Sequence, residues 1–119
     1  LALRGLSRLL ENPRNGIKPE DRLKQALGGM ETAKRIEDKR LFLPIIGRLG
    51  TRESVEALTS LLKDKDLADE AALAALSAVK RMRGRRGGRM KQQILKAIVR
   101  SEVDNDTVKQ AEEMLDRLR

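Results

Sequence analysis

One stretch restricts the possible folds of this chain more than any other. Residues 67–79 read LADEAALAALSAV, and only Asp69, Glu70 and Ser77 among them are polar. The apolar spacing is that of a helix. A helix that is apolar nearly all round has to be covered on several sides, so other helices are expected to pack around it, and its alanines let them come close. The rest of the chain agrees. Leu, Ala, Glu, Lys and Arg dominate its 119 residues, a profile that favours helices over strands. The fold class expected is all-α. At this length, residues 1–119 read as one domain able to bury roughly two-thirds of the surface the unfolded chain exposes. Phe42 is the only aromatic residue, so the core is expected to be aliphatic.

Helical periodicity and punctuation divide the sequence into seven predicted helices. Leu3, Leu6, Leu9 and Leu10 stripe the first, which ends near Asn12 and Pro13. Pro19, Glu20 and Asp21 open the second, because proline suits the first helical position and acids suit the positive helix start. Its inner face is Leu23, Ala26, Leu27 and Met30, and Gly28-Gly29 weakens its end. The third runs from about Ile36 to Arg48, with Pro44 expected to kink it. Gly50 reads as its C-terminal cap and Thr51 as the N-cap of the fourth. The fourth carries Val55, Leu58, Leu61 and Leu62, and Asp66 is expected to cap the fifth. Met90, Ile94, Leu95, Ile98 and Val99 mark the sixth; Val108, Ala111, Met114, Leu115 and Leu118 mark the seventh.

Short turns between helices suit a bundle or a stacked solenoid. Aligning EDKRLFLPII (37–46) with ADEAALAALS (68–77) pairs Asp38 with Asp69, Phe42 with Leu73 and Ile45 with Leu76, at an offset of 31 residues. An offset of that size falls in the range of helix-pair repeats. It favours a right-handed α-solenoid of about three helix pairs plus a terminal helix.

KRLFLPIIGRLG (39–50), SVEALTSLL (54–62) and DEAALAALSAV (69–79) together resemble HEAT repeats, a branch of the armadillo-like helical superhelices. The segments 2–9, 33–41, 66–74 and 108–115 are similar to the HEAT-like domain of large multidomain exported proteins of planctomycete-type bacteria. That resemblance implies a spacer or protein-interaction surface inside a larger, exported or envelope-associated protein. It covers nearly the whole chain through packing signatures, and it carries no motif for haem, sugar or carbohydrate chemistry. Two departures stand out. Lys18 occupies a position where a better N-cap is expected, and the repeat offset is shorter than the roughly 40 residues of a standard HEAT unit. The chain opens at Leu1 directly in helix-like sequence, and is expected to be a piece of a longer protein.

Catalytic chemistry has little to draw on. The chain has no His and no Cys, which removes the commonest general base, disulfides and most transition-metal sites. Its serines have no imidazole to activate them. The acid pairs Glu37-Asp38, Asp69-Glu70 and Glu112-Glu113 are sequence neighbours, and neighbours on a helix diverge. DKDLADE (64–70) lacks the glycine and distal glutamate of a calcium loop, and Gly84, Gly87 and Gly88 follow no strand as a dinucleotide loop would. Neither an enzyme nor a cofactor nor a small-molecule substrate is expected. The densest apolar run, LFLPIIG (41–47), is too short to cross a bilayer.

Charge gives the one candidate site. The net charge is +8, and KRMRGRRGGRMK (80–91) supplies +7 of it through Lys80, Arg81, Arg83, Arg85, Arg86, Arg89 and Lys91. Arginine forks suit phosphate and carboxylate, and the glycines permit close approach. The stretch holds one RGG triplet but none of the aromatic residues on which single-strand binders stack bases. Lys80, Arg81 and Arg83 also suit the negative end of the fifth helix. Two readings therefore stand: a solvated helix–helix loop, or an anion site for nucleic acid or an acidic glycan, lipid or protein. The first hypothesis is a non-catalytic scaffold or protein-interaction module. Its concave face would be lined by Glu53, Glu56, Lys63, Gln92, Gln93 and Lys96, and its partners would be proteins or neighbouring domains of the same chain. The second is anion binding through residues 80–91.

Overall fold

The computed structural model describes residues 2–12, 14, 16–82 and 87–118. Among these residues the structure is all-α, with no strand. Its elements are α1 (Ala2–Glu11), α2 (Pro19–Thr32), α3 (Ile36–Arg40), α4 (Leu43–Leu49), α5 (Arg52–Leu61), α6 (Ala68–Arg81), α7 (Gly87–Arg100) and α8 (Asn105–Arg117). The short α3 and α4 occupy the span predicted as one kinked helix; taken as one broken helix, they bring the total to the seven expected.

Local chemistry explains most boundaries. Pro19 stands in the first turn of α2, and Glu20 and Asp21 follow it there. Gly50 ends α4 in the left-handed conformation at φ 60°, where a side chain would be strained. Thr51 and Ser54 form a capping box on α5: the Thr51 hydroxyl accepts from the Ser54 N–H at 3.1 Å, and the Ser54 hydroxyl accepts from the Thr51 N–H at 3.0 Å. Each bond satisfies a backbone donor that would otherwise be orphaned.

Three local expectations need correction. Pro44 does not kink a continuous helix. The chain instead tightens after Arg40, where the Leu41 and Phe42 N–H groups donate to Asp38 and Lys39, and a new helix starts with Pro44 in its first turn. Proline costs nothing there, because first-turn N–H groups have no helical acceptor. Asp66 does not cap α6. The Asp64 carboxylate takes the Asp66 N–H at 3.0 Å, a local turn bond available to aspartate, and the cap residue is Leu67 with no side-chain bond. Three stripe leucines also face water: Leu9 is 50% exposed, and Leu27 and Leu118 are each 36% exposed.

The core contains one aromatic residue, as the composition implies. Phe42, Ile46, Leu58, Ile94, Leu95 and Ile98 are fully buried. Helix α6 packs against α4, α5, α7 and α8, and eight of its residues are buried, Ala71, Ala72, Ala75 and Ala78 completely. The exception is Leu73, at 55% exposed, although the alignment paired it with the fully buried Phe42; Ile45 and Leu76 are buried alike. Glycine permits two close approaches. A Cβ on Gly29 would lie 2.5 Å from the Phe42 ring, and one on Gly47 would lie 2.8 Å from the Ala74 carbonyl oxygen.

Each helix packs on the next, and alternate helices also meet: α2 on α4, α4 on α6, α6 on α8, and α5 on α7. The molecule measures 44 × 30 × 17 Å. Its thinnest dimension has room for two layers of helices, whose axes pack about 8–10 Å apart.

Candidate functional site

The seven basic residues predicted as a site divide in the structure. Lys80 and Arg81 form the last turn of α6 rather than a loop after it, and both are exposed. Arg89 and Lys91 lie in the first turns of α7; Arg89 is exposed and Lys91 half-buried. Arg83, Arg85 and Arg86 fall outside the described residues. The two helix ends differ electrostatically. Cations at the end of α6 complement its dipole, whereas the first turn of α7 holds Arg89 and no acid, so positive charge collects where the dipole is already positive.

The fold adds partners that sequence neighbours do not reveal. Arg48, in the last turn of α4, lines the same surface as Arg81. These two arginines border two adjoining hollows. One, of about 340 Å³, is floored by Leu43, Pro44, Leu73 and Ala74. The other, of about 530 Å³, reaches toward Leu10, Ile17 and Leu49, with Glu11 and Arg22 also on its wall. Arg40 also borders the first hollow, but it is paired with Glu70 at 3.2 Å. Only that pair and Arg52–Glu56 at 3.5 Å are ion pairs among the described residues. Arg48 and Arg81 therefore reach the surface with no carboxylate of the described residues bound to them.

Arg22 was not singled out from the sequence, and it is the one buried cation among the described residues. It is 8% exposed, and its guanidinium donates to the carbonyls of Leu10, of Asn12 at 3.2 Å and of Ile17 at 3.3 Å. These carbonyls lie at and beyond the end of α1, where helix acceptors lack partners. Arg22 also lines the hollow of about 530 Å³.

A third hollow, of about 730 Å³, is edged by Lys63, Lys65 and Arg100. Arg100 ends α7 and Lys63 follows α5, positions where helix dipoles favour cations. Among the described residues no three acidic side chains gather as a metal would require, and every buried side-chain nitrogen or oxygen has a hydrogen-bond partner. The pair Asp69-Glu70 diverges as expected of helix neighbours: Glu70 binds Arg40, whereas the Asp69 carboxylate accepts the Asp104 N–H at 3.0 Å, joining the start of α6 to the start of α8. No helix among the described residues is long and apolar enough to cross a membrane.

With this geometry in place, the chain was compared with known proteins. No family model, curated protein or solved structure matches it. The function has to be read from the residues themselves.

Proposed function

We propose that this chain is a non-catalytic scaffold or protein-interaction module, built as a right-handed α-solenoid of the HEAT-like kind. The observation that carries this reading is the packing order. The succession α2–α4–α6–α8, with α5 on α7 beside it, supports this reading, because nearest-neighbour stacking in a solenoid would give such an order and its extended faces would bind partners. The polar side chains Glu53, Glu56, Lys63, Gln92, Gln93 and Lys96 are all exposed on or just beyond α5 and α7, and would form the contact face. The non-catalytic reading rests on the residue inventory, which has neither His nor Cys.

Site-specific photocrosslinking tests it. A crosslinking amino acid at Glu56 or Gln93 should capture one discrete partner, or a neighbouring domain of the parent protein, far more efficiently than the same group at Lys24 on α2. Equal capture from all three positions would sink the reading.

A second reading is favoured by the charge at the start of α7. Arg89 and Lys91 stand at a positive helix end with no acid in the first turn, and with Lys80, Arg81 and the intervening arginines they would hold a nucleic acid or an acidic glycan. Binding of that kind weakens steeply with salt, which separates it from a packed protein interface.

A further inference from the structure

Leu73 is the anomaly on α6. Every other position from Ala71 to Val79 except Ser77 is buried, yet Leu73 is 55% exposed. It lies beside exposed Pro44, with Arg48 and Arg81 at the edge of the same hollow. Dipole complementarity accounts for an arginine in the last turn of α4 and another in the last turn of α6. It does not account for an uncovered leucine between them and the Arg40–Glu70 pair.

From this juxtaposition we infer that the α4–α6 surface is a docking groove for a short acidic peptide segment whose carboxylates are flanked by aliphatic side chains. The inference rests on the reading of the chain as an interaction module and assigns a face other than that of α5 and α7.

Three features select this occupant. The first is charge complementarity. Arg48 and Arg81 have no carboxylate partner among the described residues, whereas Arg40 at the opposite edge is neutralised by Glu70; a ligand carboxylate supplies the missing acceptor, and arginine binds it through two parallel bonds. The second is the floor. It is aliphatic, and the only aromatic residue, Phe42, is fully buried, so nucleobases find no stacking surface while a leucine-like side chain finds Leu73 and Pro44. The third is the pair of hollows on either side of the two arginines. An apolar–acidic–apolar segment places its charge on the arginines, one apolar side chain on Leu73 and Pro44, and the other past Glu11 toward Ile17 and Leu49.

The test uses the full 119-residue chain and three fluorescein-labelled probes. These are a peptide with a Leu-Asp-Glu-Leu core, the same peptide with Leu-Lys-Lys-Leu, and a short oligothymidine. Anisotropy should give a Kd of roughly 10–100 μM for the acidic peptide and much weaker binding for the other two. Leu73→Ser should weaken the acidic peptide about tenfold, and the double variant Arg48→Glu with Arg81→Glu should abolish its binding while gaining affinity for the lysine peptide. An unchanged helical circular-dichroism spectrum and cooperative melt show that the double variant is folded. Failure of the wild type to bind the acidic peptide below about 1 mM, or unchanged binding by the double variant, overturns the assignment. Equal binding of oligothymidine through the same arginines overturns it in favour of nucleic acid. Photocrosslinking from α5 and α7 reads a different face, so the two proposals fail separately.

Discussion

Gly47 and Ala74 meet almost backbone to backbone: a Cβ on Gly47 would stand 2.8 Å from the Ala74 carbonyl oxygen and 3.2 Å from the Ala74 Cβ. Neither partner is the end of a flexible side chain, so neither can give way without moving α4 against α6. Gly47→Ala should therefore destabilise the fold by about 1–2 kcal/mol, with overpacking outweighing the gain in helix propensity. Gly28, on α2, has nothing within 4 Å of an added Cβ. Gly28→Ala should stabilise by about 0.5–1 kcal/mol. Urea unfolding of both variants checks the pair of opposite signs.

Arg22 joins α2 to the end of α1 through the carbonyls of Leu10 and Asn12, and to the segment just before α2 through that of Ile17. Arg22→Met keeps the aliphatic stem and strands those acceptors, and should cost about 2–3 kcal/mol. Arg22→Lys should recover only part of that, because an ammonium cannot reproduce the planar fork. Hydrogen exchange should show the loss first as faster opening of α1.

The two capping-box bonds between Thr51 and Ser54 act on one helix end. Thr51→Ala should cost about 1 kcal/mol. Ser54→Ala should cost a similar amount, and the double variant less than the sum, since each cap supports the geometry of the other. A thermal-unfolding double-mutant cycle reads that coupling.

Changing Arg83, Arg85, Arg86 and Arg89 to Gln tests the second functional reading. If the stretch binds polyanions, anisotropy with labelled DNA, RNA and an acidic polysaccharide should show a salt slope that flattens by about one unit for each lost phosphate contact. Identical titrations for both proteins would leave those arginines as solubility chemistry.

Local signals were legible in the sequence because one residue type suffices to produce each. Pro19 at a helix start, Gly50 at a left-handed cap and Thr51 at an N-cap depend on backbone geometry within a few positions. Pro44 was misread because proline serves equally as a kink and as a first-turn residue, and only packing chooses between them. In KDKD either aspartate could form the turn, and Asp64 does. Arg22 was invisible for a different reason: its acceptors are carbonyls, which every residue possesses. The exposure of Leu73 was hidden in the same way. An all-apolar helix predicts cover on several sides but does not say which side stays open. The candidate site was legible only as charge, since nothing in the order of residues joins Arg48 to Arg81.

The position of α6 also governs how the protein can come apart. Its walls are α4 and α5 from one half of the chain and α7 and α8 from the other, so neither half completes an apolar interior alone. The loss of α7 and α8 would bare the face of α6 that they cover, and an N-terminal fragment ending at Arg81 would gain an adhesive surface. Unfolding should accordingly be cooperative across the α6–α7 connection, and a nick there would leave two pieces that hold to each other through that shared wall.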